Sequence, residues 1–199
     1  MGFFAHLFGL QSTGDFSEEN TYKVLTKSGL GKVLRNLYIP YRGGFSEIDL
    51  VMINSKKIFV IENKGYDGWI FGSENQTYWT NCIKGGKKYK FYNPIKQNQT
   101  HINALSKYLK LNKDSFTSII VFGSNSTLKK VPPSTEDYKI INRISLIKNC
   151  NMIVNSSNDI FSYENIENIY NKLKTNTEVS EETKKIHIEN IQRKHSKIP

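Results

Sequence analysis

A chain of 199 residues suits one domain with at most a small appendage, and its hydrophobic share of 38%, with 11 phenylalanines and 11 tyrosines, excludes a disordered polypeptide. The formal net charge of +10 favours a polyanionic partner, most often a nucleic acid or an anionic membrane surface. The two cysteines, Cys82 and Cys150, form no C-x-x-C pair and have no histidine at zinc-finger spacing, so a reducing cytoplasm is the expected location.

The chain begins with an apolar run, "MGFFAHLFGL". It is too short to cross a bilayer, which requires about 20 apolar residues. It also lacks the basic region and the small-residue cleavage site of a signal peptide. We therefore expect residues 1–12 to dock on the domain, with a peripheral membrane contact as the alternative and no stable membrane insertion.

The first elements predicted along the chain are a helix and three strands. The helix covers 16–28, because Ser17 can cap it, acidic residues follow the cap, and glycines at 29 and 31 end it. The strands, the first two separated by an "RGG" turn at 42–44, cover 33–40, 47–53 and 58–64. Residues 65–81 are rich in glycine and aromatic residues and fit either short strands or a loop.

A second helix begins at Asn93 and Pro94, which are favoured at the N-cap and the first helical position, and it runs to about Leu111. A continuous apolar run predicts a buried strand at 116–123. The remaining predictions are a weaker strand at 138–142, an ambiguous segment at 145–154, a helix capped by Ser162, and a polar helix at 180–195. This order of elements indicates an α/β or α+β protein with a mixed sheet.

The strands at 47–53 and 58–64 carry charges inside their apolar sequence. A two-residue turn between them would place Asp49 opposite Glu62 and Glu47 opposite Lys64. Opposed side chains in a sheet have Cβ atoms about 5 Å apart, and like charges there are destabilising. At an effective dielectric constant near 20, two charges about 4 Å apart repel by about 4 kcal/mol. A proton, a cationic side chain or a metal ion must offset that repulsion.

Two interpretations of these charges remain open from the residues. In one, carboxylate oxygens converge on Mg²⁺ or Mn²⁺, and Lys64 adds a positive charge on the same face. In the other, the sheet face is exposed and Glu47 forms a surface pair with Lys64. The flanking sequences "IDLVMI" and "IFVIEN" are apolar on both faces, which favours central strands, where charges are uncommon.

The segment "EIDLVMINSKKIFVIENKGYDGWIFG", followed by "YNPIKQNQTHINAL", resembles the nuclease-related domain, NERD, of the PD-(D/E)xK nuclease superfamily. The resemblance covers about residues 13–128. It implies an α/β fold with a mixed central β-sheet flanked by helices. We accordingly expect a NERD-like nuclease domain over 13–155, and a helical C-terminal extension over 156–199 that packs on the domain or trails from it.

The resemblance also implies a divalent-metal nuclease site. Asp49 matches the aspartate of the family, and Glu62 and Lys64 match its E-x-K motif. In this interpretation Asp49, Glu62 and the backbone carbonyl of Asn63 hold Mg²⁺ or Mn²⁺, which activates water and neutralises charge on the phosphate. Lys64 orients the water and stabilises the transition state.

Three further positions match the family. Gln97 and His101 match a glutamine and a histidine on the helix after "NP", where their spacing places them on one face. Gln97 is expected to contact the site or the DNA backbone, and His101 to contact DNA or to be a core histidine. Glu18 matches a glutamate in the first helix and would be a third carboxylate, with Glu19 as a rival.

A cluster of basic residues could form a phosphate-binding rim. Its members are Arg42, Lys84, Lys87, Lys88 and Lys90. Interleaved and neighbouring aromatic residues could stack on bases, although each of them singly is more typical of a core. These are Trp69, Trp79, Tyr89, Phe91 and Tyr92. A solvated basic hairpin is the alternative.

These observations predict a metal-dependent deoxyribonuclease that acts in DNA processing, plasmid maintenance or defence against foreign DNA. The alternative is a non-catalytic DNA-binding or adaptor module on the same scaffold. DNA is the expected partner in both cases. A helicase or another DNA-processing protein could act in trans, and a homodimer is common among enzymes that cut duplexes.

Overall fold

A computed structural model describes residues 11–177 and residue 180 of the chain, and it contains two sheets and four α-helices in that part. The helices are α1 (Gln11–Ser28), α2 (Pro94–Leu109), α3 (Leu146–Ser156) and α4 (Tyr163–Lys174). The strands are β1 (Lys32–Tyr41), β2 (Gly44–Ile53), β3 (Ile58–Lys64), β4 (Gly68–Phe71), β5 (Tyr78–Cys82), β6 (Lys88–Tyr92), β7 (Phe116–Phe122), β8 (Ser126–Lys130) and β9 (Tyr138–Asn142).

The central sheet is mixed, as predicted, and has the strand order β1-β2-β3-β7-β9. Its first three strands are antiparallel, while β3, β7 and β9 run parallel. Helices α1 and α3 cover one face, around Leu25 and Cys150, and helices α2 and α4 cover the other, around Leu105 and Leu173. The fold is therefore an α/β arrangement in which the parallel strands end together at one edge.

The hairpin between β2 and β3 has the predicted register. Ile53 pairs with Ile58 and Leu50 pairs with Ile61, and the Asn54 N–H donates to the Lys57 carbonyl oxygen across the turn. The short polar turn sets this register, because loop length determines which residues face each other in a hairpin.

The second sheet has the order β6-β5-β4-β8 and packs against β7 and β9 through Ile70, Trp79 and Phe122. The segment 65–81 thus contains strands, as one of its two interpretations held. Strand β8 was not predicted. Its short polar sequence pairs in parallel with β4, which lies far away in the sequence, and local patterns do not reveal such a pairing.

The helix boundaries agree in part with those predicted from the sequence. Asn93 caps α2 through its side chain, and Ser162 forms a capping box with Asn165 at the start of α4. Helix α1 begins at Gln11, so Ser17 lies inside the helix and does not cap it. The ambiguous segment 145–154 is largely helix α3.

Helix α4 packs on the central sheet, and beyond it the Tyr38 N–H donates to the Asn176 carbonyl oxygen at 2.9 Å. The predicted helix at 180–195 and most of the predicted segment 1–12 lie outside the described residues. In the described part of the chain, every helix is too short or too polar to cross a bilayer.

Candidate active site

The ladders on both sides of β2 are interrupted at Asp49. On the β3 side the last paired residues are Leu50 and Ile61, and the Asn63 N–H donates to Asp49 Oδ2 at 2.7 Å instead of to a backbone carbonyl. On the β1 side the residue opposite Asp49 is Asn36, which has no ladder partner and a φ of 55°. Such local distortions are frequent beside active sites, where they redirect a side chain.

The distortion reverses the in–out alternation along β2. Ile48 and Val51 pack into the same core, beneath α2, whereas Leu50 packs into the opposite one. The expected order, in which Glu47, Asp49 and Val51 share a face, is therefore wrong for Glu47. Its cross-strand neighbour is Tyr38, whose hydroxyl donates to Glu47 Oε1 at 2.9 Å.

Glu62 is the centre of a buried polar cluster beneath α2, and its side chain is 1% exposed. Glu62 Oε1 lies 2.6 Å from Lys64 Nζ, and Glu62 Oε2 lies 3.0 Å from His101 Nε2. Lys64 Nζ also donates to Gln97 Oε1 at 3.2 Å. The other nitrogen of His101, Nδ1, lies 2.7 Å from Ser46 Oγ. The alternative interpretation paired Lys64 with Glu47, but in the structure Lys64 pairs with Glu62, because Glu47 lies on the other face of β2.

The pKa values of the Asp49 and Glu62 carboxylates are shifted in opposite directions. Burial raises the pKa of Asp49 well above its usual value, and the negative charges of Glu62 and Glu18 raise it further, against the opposing effects of Lys64 and the Asn63 N–H. Burial also acts to raise the pKa of Glu62, but the Lys64 ammonium and the hydrogen-bonded His101 outweigh it and lower that pKa. Burial acts to lower the pKa of Lys64, and the charge of Glu62 reverses this, so its pKa is raised. Glu62 and Lys64 therefore compensate each other, whereas burial and the neighbouring carboxylates outweigh the effect of Lys64 on Asp49.

Helix α2 holds two of these side chains because its position is fixed at several points. The Asn93 amide donates to the carbonyl oxygens of Ser73, Glu74 and Gln76, which attaches the helix start to the loop before β5. One turn later, the buried Asn98 amide donates at 2.8 Å to the Val60 carbonyl oxygen and at 2.8 Å to a serine hydroxyl of β7. A helix fixed in this way can hold a site geometry closely.

Helix α1 brings Glu18, and not Glu19, to Asp49. Glu19 forms ion pairs with Lys23 and Arg35 on the outer side of the helix. Glu18 is among the charges that raise the pKa of Asp49. The helix is also joined to β3, since the Thr21 hydroxyl donates to Asn63 Oδ1 at 2.8 Å.

The residues predicted to contact nucleic acid lie in different places. Arg42 is exposed in the β1–β2 turn, on the same end of β2 as Glu47. The lysines are exposed on β6 and in the turn before it, and they are Lys84, Lys87, Lys88 and Lys90. His101 is 6% exposed and both its ring nitrogens have partners inside the fold, which contradicts the predicted DNA contact and agrees with the alternative of a core histidine.

The aromatic residues also separate into two groups. Trp79 and Phe91 are buried in the core of the second sheet, which agrees with the structural interpretation of these rings. Trp69 is 51% exposed on the other face of that sheet. Three residues of the site, Asn36, Thr21 and Ser46, were not predicted. An asparagine within the strand sequence "LRNLYI" was the one available signal, because asparagine is depleted in strands and enriched at positive φ.

The available donors suit a hard divalent cation. Asp49 and Glu62 supply carboxylates, and the Asn63 carbonyl lies on the β2 side of β3, as its N–H does, because both groups of a strand residue point the same way. Within the described residues, no three histidine, cysteine, aspartate or glutamate side chains form a group that could hold a metal. Mg²⁺ fits this set, because it commonly uses one or two carboxylates and keeps several waters. A cation would also oppose the burial and the negative charges that raise the pKa of Asp49.

Comparison with known proteins identifies the family of the chain. A family model described as the nuclease-related domain, NERD, matches residues 13–123, which is more than half of the chain and includes every predicted catalytic residue. The chain therefore belongs to the nuclease-related domain family. An uncharacterized protein of Bacillus anthracis is 29% identical to it over 168 residues, which are 83% of this chain and 76% of that protein. No solved structure matches the chain.

Proposed function

We propose that this protein is a nuclease that hydrolyses DNA phosphodiester bonds with Mg²⁺ or Mn²⁺. The observation that carries the proposal is the contrast between two neighbouring carboxylates. Glu62 is paired with Lys64 and His101, whereas the charge of Lys64 and the Asn63 N–H do not offset the burial and the negative charges that raise the pKa of Asp49. A carboxylate kept in that state destabilises the protein unless a cation joins it, which is expected of a metal ligand.

In the proposed mechanism, Asp49, Glu62 and the Asn63 carbonyl would hold the cation. When bound, Mg²⁺ would supply a polarised water and would neutralise charge on the phosphate. Lys64 stays protonated because its pKa is raised, so it acts as a hydrogen-bond donor and a positive charge, and not as a base. Gln97 limits the motion of the Lys64 ammonium through their 3.2 Å hydrogen bond.

His101 acts indirectly. Its imidazole lies between Ser46 and Glu62, with 2.7 Å and 3.0 Å contacts, and thus fixes one carboxylate oxygen of Glu62. Each carboxylate oxygen has two acceptor positions, so Glu62 can keep both partners and still offer a lone pair to a cation. Glu18 adds negative charge near Asp49 and strengthens the attraction for that cation.

DNA is the proposed substrate because the chain carries a net charge of +10 and exposes lysines on the second sheet. Roles in DNA processing, plasmid maintenance or defence against foreign DNA all require such a cut. A helicase or another processing protein acting in trans is compatible with each of these roles.

The test is cleavage of a panel of labelled DNAs, single-stranded, duplex, nicked and branched, with Mg²⁺, Mn²⁺, Ca²⁺ or EDTA. We expect cutting by the wild-type protein with Mg²⁺ or Mn²⁺, and none by Asp49→Ala. The exposed aspartate Asp159 gives a matched control, since Asp159→Ala should cut at the wild-type rate. Binding of DNA without cutting, unchanged by Asp49→Ala, would instead identify a DNA-binding module.

A further inference from the structure

We propose that the outer face of the second sheet binds single-stranded nucleic acid next to the active site. The proposal rests on the proposed nuclease function for its biological sense, but not for its test. The strand order β6-β5-β4-β8 and the pairing of these strands define this face.

The first row of side chains across this face is centred on an exposed tryptophan. The paired residues are Lys88 on β6, Cys82 on β5, Trp69 on β4 and Thr127 on β8. Trp69 is 51% exposed, and Lys88 and Thr127 are exposed as well. An exposed indole in a structured strand offers a flat ring on which an unpaired base could stack.

The second row lies two residues further along β4, β5 and β6, and therefore on the same face of these strands. Its paired residues are Lys90, Thr80, Phe71 and Lys130. The pairing slips between Ile70 and Phe71, which leaves Lys129 as an extra residue on β8. Lys129 Nζ then lies 4.9 Å from the centre of the Trp69 ring, a cation–π contact that holds a positive charge beside the indole.

The resulting surface has two aromatic rings in the middle and lysines on both sides. We call it the outer platform, and it consists of Trp69, Phe71, Lys88, Lys90, Lys129 and Lys130. Its two rings lie on one strand about 7 Å apart, and the flanking lysines lie one strand away on β8 and two strands away on β6, about 5 and 10 Å from β4. Neither row contains an acidic residue.

This combination favours an unpaired polynucleotide over the other partners of a sheet face. Base stacking on aromatic side chains, with phosphates held by basic ones, is the general way in which single strands bind without sequence preference. Stacking on a ring requires unpaired bases, which a duplex does not present to a flat surface. Lysine is depleted at protein–protein interfaces, whereas four lysines border this patch.

The sheet that carries the outer platform starts close to the site along the chain. Strand β4 begins at Gly68, four residues after Lys64, so the two Cα atoms are at most about 14 Å apart. The second sheet also packs on the face of the central sheet that carries Glu62. Ile120 on β7 is the cross-strand neighbour of Glu62, and it lies in the core of the second sheet. The outer platform is the opposite face of this second sheet, so a strand bound there would pass around the edge of the sheet to reach the carboxylates.

The test is equilibrium binding in EDTA of a short labelled oligothymidylate and of a duplex of equal length. We expect Trp69→Ala to weaken binding of the single strand about tenfold or more, and to leave duplex binding nearly unchanged. The double variant Lys90→Ala and Lys129→Ala should lower the dependence of log affinity on log salt by about 0.7 per lost phosphate contact. Matched controls are Tyr163→Ala, a 78% exposed aromatic on α4, and Lys148→Ala on α3.

Tryptophan fluorescence gives an independent measurement, because the chain has two tryptophans and Trp79 is fully buried. Addition of the oligothymidylate should quench the exposed Trp69, and Trp69→Phe should abolish that quenching while keeping most of the affinity. No quenching, or equal binding by wild type and Trp69→Ala, overturns the proposal even if the protein cuts DNA. The same holds if Trp69→Ala changes only self-association or adhesion to anionic vesicles. Conversely, Trp69-dependent binding without any cleavage would support the outer platform and refute the nuclease.

Discussion

Replacing Asp49 by asparagine should stabilise the metal-free protein near neutral pH. The variant keeps an acceptor for the Asn63 N–H and removes a charge that burial, Glu62 and Glu18 all disfavour. Two charges about 5 Å apart at an effective dielectric constant of 20 repel by about 3 kcal/mol, which is an upper limit. Asp49 is partly exposed and loses its attraction to Lys64, so we expect a net gain of about 1–2 kcal/mol.

The sign of the pH dependence follows from the raised pKa of Asp49. Below its unfolded value the group is protonated in both states, so wild type and Asp49→Asn should differ little. As the pH rises towards the folded pKa, the folded wild-type protein retains a proton that the unfolded chain has lost, and its unfolding free energy falls. The advantage of Asp49→Asn should therefore grow with pH up to the folded pKa of Asp49 and then remain constant.

Urea denaturation in EDTA across this pH range measures the difference in unfolding free energy between wild type and Asp49→Asn. The control is Asp159→Asn at an exposed position, whose unfolding free energy should lie within about 0.5 kcal/mol of wild type. Saturating Mg²⁺ should reverse the order, because the wild-type protein gains binding free energy that Asp49→Asn loses. If Asp49→Asn were destabilising in EDTA at every pH, the Asp49 carboxylate would already be compensated, and the electrostatic argument for a cation would be refuted.

Three further substitutions test the surroundings of the site. His101→Ala should cost about 3–5 kcal/mol in urea denaturation, since it leaves a cavity and removes a partner from both Glu62 and Ser46; a loss below about 1 kcal/mol would contradict this. Lys64→Met should abolish cleavage and raise the pH at which Mn²⁺ binds, because Lys64 is a main cause of the lowered pKa of Glu62; an unchanged binding midpoint would disagree. Asn36→Ala should destabilise by about 1–2 kcal/mol because φ is 55°, while Asn36→Gly should be nearly neutral; equal losses would exclude backbone strain as the cause.

The sequence was sufficient to predict the fold and the site where the interactions that determine them are local. The β2–β3 register follows from a short turn and from apolar strands on both sides, and the structure confirms it from Ile53 to Leu50. The start of α2 follows from Asn93 and Pro94, whose preferences are intrinsic to those residues. The i, i+4 spacing on that helix correctly placed Gln97 and His101 on one face, towards Lys64 and Glu62.

The sequence was insufficient to predict the structure where contacts between distant segments of the chain determine it. Perfect alternation along β2 placed Glu47 beside Lys64, but the left-handed Asn36 on β1 shifts the alternation and leaves Asp49 at the interruption. Ser46 acquires its role from His101, which is 55 positions away, so no local pattern marks it. Strand β8 forms because β4 offers it an edge, and its own sequence lacks a strong strand preference.

The central claim is that Asp49 and Glu62 bind a divalent cation that the nuclease needs. The most direct measurement is a Mn²⁺ titration in which bound metal, by electron paramagnetic resonance, and cleaved DNA are recorded in the same samples. We expect binding and cleavage to rise with one midpoint, and both to be lost in Asp49→Ala. Cleavage without metal, or undiminished Mn²⁺ binding by Asp49→Ala, would contradict the central claim.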